Sequence, residues 1–345
     1  MDNDLSRVCR LFSACRAAGT PLVLATIVRT AGSTYRKTGA RSLIDPEGAS
    51  SGILSGGCLE ADLRERAAQV LRENRPARIV FDTRVADDPV WGLGLGCEGL
   101  MEVWLQPARP ENEYAPLPYL LRCWDQEENG LLATVIGGEV LPGELGVHGC
   151  AGIATRSPLA TRLAELSVAS PRTLEVEFAG RMLEVFAAPV TLPPALLVCG
   201  AGPDAIPVAS FAVSLGWRVS VYDHRPAYAL AENFPGAARI ILGRPEELSE
   251  RLDLSKLDAA VIMSHHLPSD VEYLRCLARR PPGYVAALGP AARRERLLVE
   301  AGPETAAVMR KQLYGPAGLA IGAQSPESIA LAIVAQIHAV RSSGA

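Results

Sequence analysis

The segment LLVCGAGPDAIPVA, residues 196–209, decides the fold of the C-terminal half. Its apolar run ends at Gly200-Ala201-Gly202, and Ala205 completes the pattern G-x-G-x-x-G/A where a helix is expected to open. In this pattern the first glycine makes the turn, the second admits a pyrophosphate, and the last small residue lets helix and strand pack. The helix N-terminus favours phosphate. The segment predicts a Rossmann-like unit with a nucleotide-type site, although a fold that keeps the turn only for packing would show the same pattern.

The residues around this fingerprint leave the choice of nucleotide open. Asp223 ends the next apolar run 18 residues beyond Ala205, about the spacing of a ribose-binding acid. Such an acid favours a free 2′-hydroxyl, whereas Arg225 is suited to a 2′-phosphate. Asp204 adds a negative charge beside any bound phosphate, which weakens anion binding. The sequence therefore predicts a site for NAD, NADP or another nucleotide.

Alternating strand and helix patterns continue after the fingerprint. Apolar runs at 239–242, 257–263 and 284–288 are separated by helical segments, which is typical of a doubly wound parallel sheet. His265 and His266 follow one of these runs, where ligands of such folds bind. Their titration near neutral pH suits proton transfer or anion contact, although a histidine in a loop is often incidental.

The N-terminal half has a different, α+β pattern. Pro193-Pro194 can continue neither a helix nor a sheet ladder, so we place the domain boundary there, between residues 1–193 and 194–345. Helical periodicity covers residues 4–18 and resumes after Gly57, with strands between and after these segments. No internal repeat is evident. The expected fold class is α/β, with an N-terminal α+β domain and a C-terminal Rossmann-like sheet.

Composition narrows the setting of the protein. The chain has 345 residues, 48% hydrophobic and 21% charged, which is enough for two packed domains and argues against disorder. The net charge of -4 comes without a basic stripe, so neither nucleic acid nor an anionic membrane is the expected partner. The eight cysteines include no C-x-x-C pair, the N-terminus lacks a signal-type apolar run, and no stretch reaches a membrane span. We expect a cytoplasmic protein with free thiols.

Two cysteines stand in glycine-rich surroundings. Cys58 follows Ser55-Gly56-Gly57 at the expected start of a helix, where unpaired N–H groups favour anions and lower a thiol's pKa. This segment is suited to a phosphate, a reactive sulfur or both, and a tightly packed small residue is the plainer alternative. Cys97 lies in GLGLGCEG, whose glycines permit close approach of a ligand or another loop. Its neighbour Glu98 disfavours the thiolate.

The segment RTAGSTYRKTGAR, residues 29–41, supplies cationic and hydroxyl donors for an anionic ligand. The candidate binding residues here are Arg29, Ser33, Arg36 and Arg41. A solvated charged face is the alternative for these side chains.

As a set, these segments resemble the XdhC/CoxI family of accessory factors that mature xanthine dehydrogenase and related molybdenum hydroxylases. Further matching segments are VYDHRPAYA (221–229), VIMSHHLPSD (261–270), LGPAARRERL (288–297) and YGPAGLAIGAQSPESIALAI (314–333), in the family's order. The resemblance implies an N-terminal XdhC/CoxI domain and a C-terminal Rossmann domain.

The resemblance also implies a function. Family members are expected to bind molybdenum cofactor, as molybdopterin or its nucleotide form, to support its sulfuration with a cysteine desulfurase, and to deliver it to the apo-hydroxylase. Cys58 and Cys97 match the family's motif cysteines, with Cys58 a candidate molybdenum ligand because soft thiolates suit such a centre. Gly200, Gly202, Asp223 and the pair His265-His266 match its C-terminal motifs. We also expect a homodimer.

Two other functions stay open. An NAD(P)-dependent oxidoreductase would use the Rossmann unit, with His265 or His266 as acid or base, but leaves the cysteine motifs unexplained. An assembly scaffold that docks other proteins without binding cofactor has no need of the donors between Arg29 and Arg41. The sequence therefore favours a cofactor-binding maturation factor over a turnover enzyme.

Overall fold

The chain divides into two compact units, residues 1–192 and 193–345. The computed structural model describes residues 4–57, 59–84, 99–152 and 157–343. Each unit has its own sheets and its own hydrophobic core. The expected α/β class, with a parallel Rossmann-like sheet in the C-terminal unit, is confirmed.

The N-terminal unit consists of two four-stranded antiparallel sheets and the helices that cover them. In chain order its elements are α1 (Asp4–Ala17), β1 (Leu22–Gly32), β2 (Arg41–Ile44), α2 (Glu60–Glu73), β3 (Ala77–Asp82), β4 (Gly99–Ala108), α3 (Leu117–Gln126), β5 (Gly130–Gly138), β6 (His148–Cys150), α4 (Pro158–Ala164), β7 (Arg172–Phe178) and β8 (Arg181–Val190).

The two sheets pack face to face. Val28 and Trp104 of one sheet meet Ile136 and Phe186 of the other in a shared apolar cluster. The outer face of the first sheet packs on α2, and that of the second packs on α4. Alternation along each strand produces this arrangement, because successive side chains point to opposite faces.

The two sheets have the same topology. Their strand orders are β2-β1-β4-β3 and β6-β5-β8-β7, and each set begins after a helix and contains a second helix between its strand pairs. Both central pairs carry an irregularity at the same place, with Arg29 opposite Glu102 in one sheet and Gly137 opposite Glu184 in the other. The unit is therefore an αββαββ arrangement that occurs twice, a repeat that the sequence reading missed.

The repeat is visible in the sequence once the registers are aligned. LVLATIV (22–28) corresponds to GLLATVI (130–136), and MEVWLQPA (101–108) corresponds to LEVFAAPV (183–190). Thr26 pairs with Arg41 as Thr134 pairs with His148. The shared residues are the buried and register-setting positions, so similarity is confined to short strands separated by dissimilar loops.

Arg78 joins the inner faces of the two sheets. Its Nη2 donates to Glu102 Oε2 at 2.6 Å, and its Nη1 donates to Glu184 Oε2 at 2.7 Å. Glu102 and Glu184 occupy equivalent positions in the two halves, and Glu102 is only 5% exposed. The hydrogen bond to Glu184, together with Glu102, raises the pKa of Arg78. One guanidinium thus satisfies a carboxylate from each half.

A polar chain crosses the same interface. Trp104 Nε1 donates to Gln106 Oε1 at 3.1 Å, and Gln106 Nε2 lies 2.6 Å from His148 Nε2. His148 Nδ1 lies 2.8 Å from Thr134 Oγ1. Burial lowers the pKa of His148 to about 3, so the ring is neutral and accepts from Gln106 at Nε2.

The C-terminal unit is a six-stranded parallel sheet with helices on both faces. Its elements are β9 (Ala195–Cys199), α5 (Ala205–Ser214), β10 (Arg218–Asp223), β11 (Arg239–Leu242), α6 (Leu248–Arg251), β12 (Ala259–Ile262), α7 (Leu267–Arg279), β13 (Tyr284–Ala287), α8 (Ala291–Ala301), α9 (Pro303–Met309), β14 (Leu313–Tyr314) and α10 (Pro326–Ser343).

The strand order of this sheet is β11-β10-β9-β12-β13-β14. After β9 the chain first adds β10 and β11 on one side of it and then adds β12 on the other side. This reversal of direction creates a crevice at the carboxyl ends of β9 and β12. One core cluster packs α5 and α10 on one face, and a second packs α7, α8 and α9 on the other. Ser325 caps α10, its Oγ accepting from Ser328 N at 3.2 Å.

Two of the pairings are short. After the turn at Asp45–Gly48, a single bridge joins Ile44 and Ser50. Leu313 and Tyr314 form β14, which pairs with β13. Among the described residues, no helix combines the length and apolarity needed to cross a membrane.

Replacing Arg78 by methionine should destabilise the N-terminal unit by about 2–4 kcal/mol, because buried Glu102 loses a charged partner. Urea unfolding of the full chain measures this change. Arg66→Met is the matched control, because Arg66 forms a half-exposed i,i+4 pair with Asp62 at 3.5 Å, worth at most about 0.5 kcal/mol. Equal effects of the two substitutions would contradict the bridging role of Arg78.

Candidate functional site

A cation-lined cavity of about 580 Å³ lies in the N-terminal unit. Its wall is formed by the start of α1, the segment 35–41, the residues just before β7 and those at the end of β8. Its charged lining residues are Asp4, Arg7, Arg36, Lys37 and Arg41. Four cations against one carboxylate give the cavity an excess of positive charge, which suits an anionic ligand.

Asp4 holds the cationic segment in place. Its Oδ2 accepts from Arg36 Nη2 at 2.5 Å and from the backbone N–H of Arg41 at 2.9 Å. Asp4 is only 5% exposed, and it belongs to α1, whose buried face includes Leu5 and Val8. The first turn of α1 thereby fixes the segment that supplies Arg36 and Arg41, two of the predicted binding residues.

The predicted anion site at Ser55–Gly57 is partly filled by the protein itself. Glu60 Oε1 accepts from the backbone N–H groups of Leu54 and Ser55, both at 3.0 Å, and from Ser55 Oγ at 3.1 Å. Ser55 Oγ in turn accepts from Leu59 N at 2.8 Å. The Ser55 hydroxyl thus stabilises the turn before α2, and the Glu60 carboxylate occupies the position where this turn would bind an anion.

The segment from Ser33 to Tyr35 contacts the chain beside both cysteine motifs. A Cβ on Gly56 would lie 3.2 Å from the Tyr35 ring, and a Cβ on Gly99 would lie 2.3 Å from the Ser33 carbonyl oxygen. In sequence, Gly56 stands two residues before Cys58, and Gly99 stands two residues after Cys97. Cys58, Cys97 and Glu98 themselves lie outside the described residues.

Positive φ values explain part of this glycine pattern. Gly56 and Gly57 have φ values of +73° and +107°, in the region that favours glycine. A Cβ at Gly56 would also be in tight contact with the ring of Tyr35, a residue that lines the cavity and is 58% exposed. The bare backbone at this point therefore lets the Tyr35 ring lie on it.

Arg29 is not brought to the cavity. Its Nη1 donates to Glu102 Oε1 at 3.2 Å, so it belongs to the charged group around Arg78. Its side chain is 63% exposed, and it does not line the cavity that contains Arg36 and Arg41. The structure thus separates Arg29 from two of the donors grouped with it in sequence.

In the C-terminal unit, Gly200 and Ala205 have the packing roles predicted for the fingerprint. Gly200 has φ +120°, and a Cβ there would lie 2.6 Å from the Met263 carbonyl oxygen. Ala205 opens α5 and is fully buried. A Cβ on Gly202 would lie 2.9 Å from Asp204 Oδ1, so the Asp204 carboxylate lies beside the glycine expected to face a pyrophosphate.

Asp223 has hydrogen-bond donors on both carboxylate oxygens. Oδ2 accepts from Ala201 N at 2.6 Å and Arg225 Nη2 at 2.7 Å, and Oδ1 accepts from Arg225 N and Nε, both at 2.9 Å. Burial raises the pKa of Asp223, but these hydrogen bonds outweigh burial and the pKa is lowered. A ribose hydroxyl would have to displace Arg225.

The two predicted histidines have different partners. His265, with φ +61° and a 61% exposed side chain, places Nε2 2.7 Å from Asp204 Oδ2. His266 caps α7, its Nδ1 accepting from Ser269 N and lying 2.8 Å from Ser269 Oγ. Neither contact was foreseen. His265 and Asp204 come from separate loops that meet only in the folded chain, whereas His266 bonds Ser269 within the first turn of α7.

A buried polar group supports these loops. Ser264 Oγ donates to Asp270 Oδ1 at 2.5 Å, and Arg293 Nη2 donates to Asp270 Oδ2 at 2.6 Å. Sequence reasoning missed these residues, as it missed Asp4 and Glu60, since a buried acid gives no periodic signal. Among the described ranges, no three His, Cys, Asp or Glu side chains form a group able to hold a metal ion.

Burial makes the thiols of the described cysteines weakly acidic. Burial raises the pKa of Cys9 and of Cys150 to about 12, and burial raises that of Cys199 well above its usual range. Burial also raises the pKa of Cys123 and Cys276. A thiol is nucleophilic as the thiolate, so these side chains behave as small hydrophobic groups.

The fold and the cavity define a two-unit α/β protein with a cation-lined cavity in its N-terminal unit and a Rossmann-like C-terminal unit. The family described as "XdhC and CoxI family" matches residues 15–82, and the "XdhC Rossmann domain" matches residues 196–337. A relative from Bacillus subtilis (strain 168), named as a probable subunit of xanthine dehydrogenase, is 33% identical over 325 residues, covering 92% of this chain and 93% of the relative.

A crystal structure from Bacillus halodurans, described as a xanthine dehydrogenase, is similar over nearly the whole chain. It is 30% identical, with a TM-score of 0.76, and the match covers 99% of this chain and 96% of that one. The chain therefore belongs to the XdhC and CoxI family, as its motifs predict.

Alkylation of the native chain tests the thiol assignment. At pH 8, iodoacetamide should modify Cys9, Cys123, Cys150, Cys199 and Cys276 only slowly, because burial removes both access and thiolate. Fast labelling is expected at Cys58, as its sequence setting predicts, and slower labelling at Cys97, whose neighbour Glu98 disfavours the thiolate. Peptide mass spectrometry against time measures each rate, and the urea-unfolded chain serves as control. Rapid modification of Cys9 or Cys199 in the native chain would contradict the assignment.

Proposed function

We propose that this protein is an accessory factor for a xanthine dehydrogenase-type molybdenum hydroxylase. In this proposal it binds molybdenum cofactor, supports its sulfuration and delivers it to the apo-hydroxylase. The Bacillus subtilis relative, whose name connects it to xanthine dehydrogenase and which is matched over nearly its whole length, supports the connection to that enzyme. The observation that carries the cofactor proposal is the cation-lined cavity, whose Tyr35 also contacts the chain beside the Cys58 motif.

The cavity is suited to the phosphate of a pterin cofactor. Arg7, Arg36, Lys37 and Arg41 supply charge-assisted donors, and Asp4 holds Arg36 in a fixed position. Tyr35 adds an exposed aromatic ring at the cavity wall, against which a planar heterocycle can stack. A volume of about 580 Å³ lies within the usual range of small-molecule sites.

Cys58 and Cys97 are the thiols proposed to act on the cofactor. The bound cofactor supplies a molybdenum centre that accepts soft ligands such as thiolate. Cys58, at a glycine-rich helix start, is proposed as a molybdenum ligand or as the thiol that carries sulfur from a cysteine desulfurase. Cys97 is proposed to assist it. The segment Ser33–Tyr35, which touches Gly56 and Gly99, supports a common site for the two motifs.

The C-terminal unit is proposed to hold a nucleotide, either part of the cofactor's nucleotide form or a separate molecule. Its fold supports this role, and Gly200, Gly202 and Ala205 occupy the expected turn. The alternative of an NAD(P)-dependent oxidoreductase is less favoured, because Arg225 already binds Asp223 and Asp204 lies beside Gly202. A scaffold without a ligand leaves the cationic cavity without a role. A homodimer and a cytoplasmic location complete the proposal.

The cavity is tested by Arg7→Gln and Lys37→Gln. Neither side chain forms an ion pair within the described part of the chain, so both variants should fold normally. Each should retain roughly tenfold less pterin, because a charge-assisted hydrogen bond is worth about 1.5–3 kcal/mol. The measurement is anaerobic co-purification from a cofactor-replete host, followed by oxidation and pterin fluorescence. Arg66→Gln, on the outer helix α2, is the control, and unchanged pterin in both cavity variants would reject the cavity as its site.

The thiols are tested by Cys58→Ser and Cys97→Ser. Cys58→Ser should fold but lose most of its retained pterin or its ability to activate the hydroxylase, because serine is a poor soft ligand. Pterin content and activation of purified apo-hydroxylase are measured together. Cys15→Ser, at a partly exposed thiol on α1, is the matched control. Full activation by Cys58→Ser would remove that thiol from the proposed mechanism.

A further inference from the structure

The carboxyl edge of the parallel sheet gathers three of the protein's five histidines. His224 follows β10, and His265 and His266 follow β12, on either side of β9. The rings of His224 and His266 lie 6.1 Å apart between centroids, at an angle of 45°. This is the edge at which open α/β sheets bind their ligands.

The positions that bind a dinucleotide in such a fold are occupied here by the protein's own side chains. The Asp204 carboxylate lies beside Gly202 and bonds His265 at 2.7 Å. A pyrophosphate at Gly202 would therefore meet a negative charge at close range. Asp223, the expected ribose acceptor, already receives four hydrogen bonds, three of them from Arg225.

The groups left facing this edge are suited to a single phosphate. Ser269 binds Nδ1 of His266, and Nδ1 of His224 is buried 3.5 Å from Asp223 Oδ1. Within the described ranges neither ring uses Nε2 in a hydrogen bond, so Nε2 is the atom that each ring offers to a ligand. With their centroids 6.1 Å apart, the two rings are close enough for one phosphate to accept a hydrogen bond of about 2.7–3.2 Å from each. The Arg225 guanidinium, held by Asp223 and stacked on Tyr228 at 4.3 Å, adds a fixed cation.

We propose that His224, Arg225 and His266 form a site for one phosphate monoester, such as the 5′-phosphate of a nucleoside monophosphate. In this proposal Asp204 excludes the pyrophosphate of NAD and NADP from the glycine turn. The site lies wholly in the C-terminal unit, so the proposal stands or falls independently of the cofactor cavity in the N-terminal unit.

Calorimetric titration of the full chain with AMP, inorganic phosphate, NAD and NADP tests the site. AMP should bind at least tenfold more tightly than either dinucleotide. If inorganic phosphate competes with AMP at similar concentration, the phosphate is the group that the site recognises. If inorganic phosphate binds much more weakly than AMP, the site recognises the whole nucleoside monophosphate. A dinucleotide that binds as tightly as AMP, or no binding of AMP and phosphate, would overturn the proposal.

Matched histidine variants locate the binding. His266→Asn keeps a side chain that can cap α7. His266→Asn and His224→Asn, each made singly, should weaken AMP binding at least tenfold. His338→Asn, at an exposed histidine of α10, should leave AMP affinity unchanged. Loss of AMP binding in Arg7→Gln, with the two histidine variants unaffected, would move the phosphate to the N-terminal cavity and refute the site.

Asp204→Asn tests the exclusion of dinucleotides. Asparagine keeps a hydrogen-bonding group for His265 and removes the negative charge beside Gly202. NAD should then bind at least fivefold more tightly than it binds the unaltered chain, while AMP affinity changes less than twofold. Unchanged NAD affinity would show that Asp204 does not exclude the pyrophosphate.

Discussion

The N-terminal unit depends on the charged contact in which Arg78 binds Glu102 and Glu184. Each glutamate comes from the same position of one half of the repeat, so one arginine satisfies two carboxylates that would otherwise face each other between the sheets. Its equivalent in the second half is Thr173, which carries no charge. The duplicated fold is thus held by an unsymmetrical contact.

The same asymmetry extends to the loops. In the first half, residues 45–59 connect β2 to α2 and residues 83–98 connect β3 to β4, and they contain Cys58 and Cys97. The corresponding connections in the second half are residues 151–157 and the two-residue turn at 179–180. Both halves supply the framework, but the predicted chemistry is concentrated in the first. Two similar sheets thus carry only one set of predicted motif cysteines.

The sequence predicted the fold well and the site only partly. Periodic apolar patterns found the central strands, and the fingerprint at Gly200–Ala205 identified the Rossmann-like unit, since both depend on local residue order. The repeat was missed because its shared positions fall in separate short strands. Asp4, Glu60 and Arg78 were missed because each acts on a partner far along the chain or in a turn without a pattern. Arg29 and Arg36 are seven residues apart in sequence, but the structure gives them separate roles.

The C-terminal unit shows why a binding motif does not by itself identify a ligand. The glycine turn satisfies the backbone requirements of the Rossmann fold, because Gly200 must pass close to Met263 whether or not a nucleotide binds. Ligand choice instead depends on charges added to that turn. The Asp204 carboxylate bonds His265, and Asp223 is paired with Arg225, so both acids already have partners inside the unit. A ligand that needs either acid as an acceptor must break an existing hydrogen bond, whereas one that needs only Nε2 donors and the outer guanidinium need not.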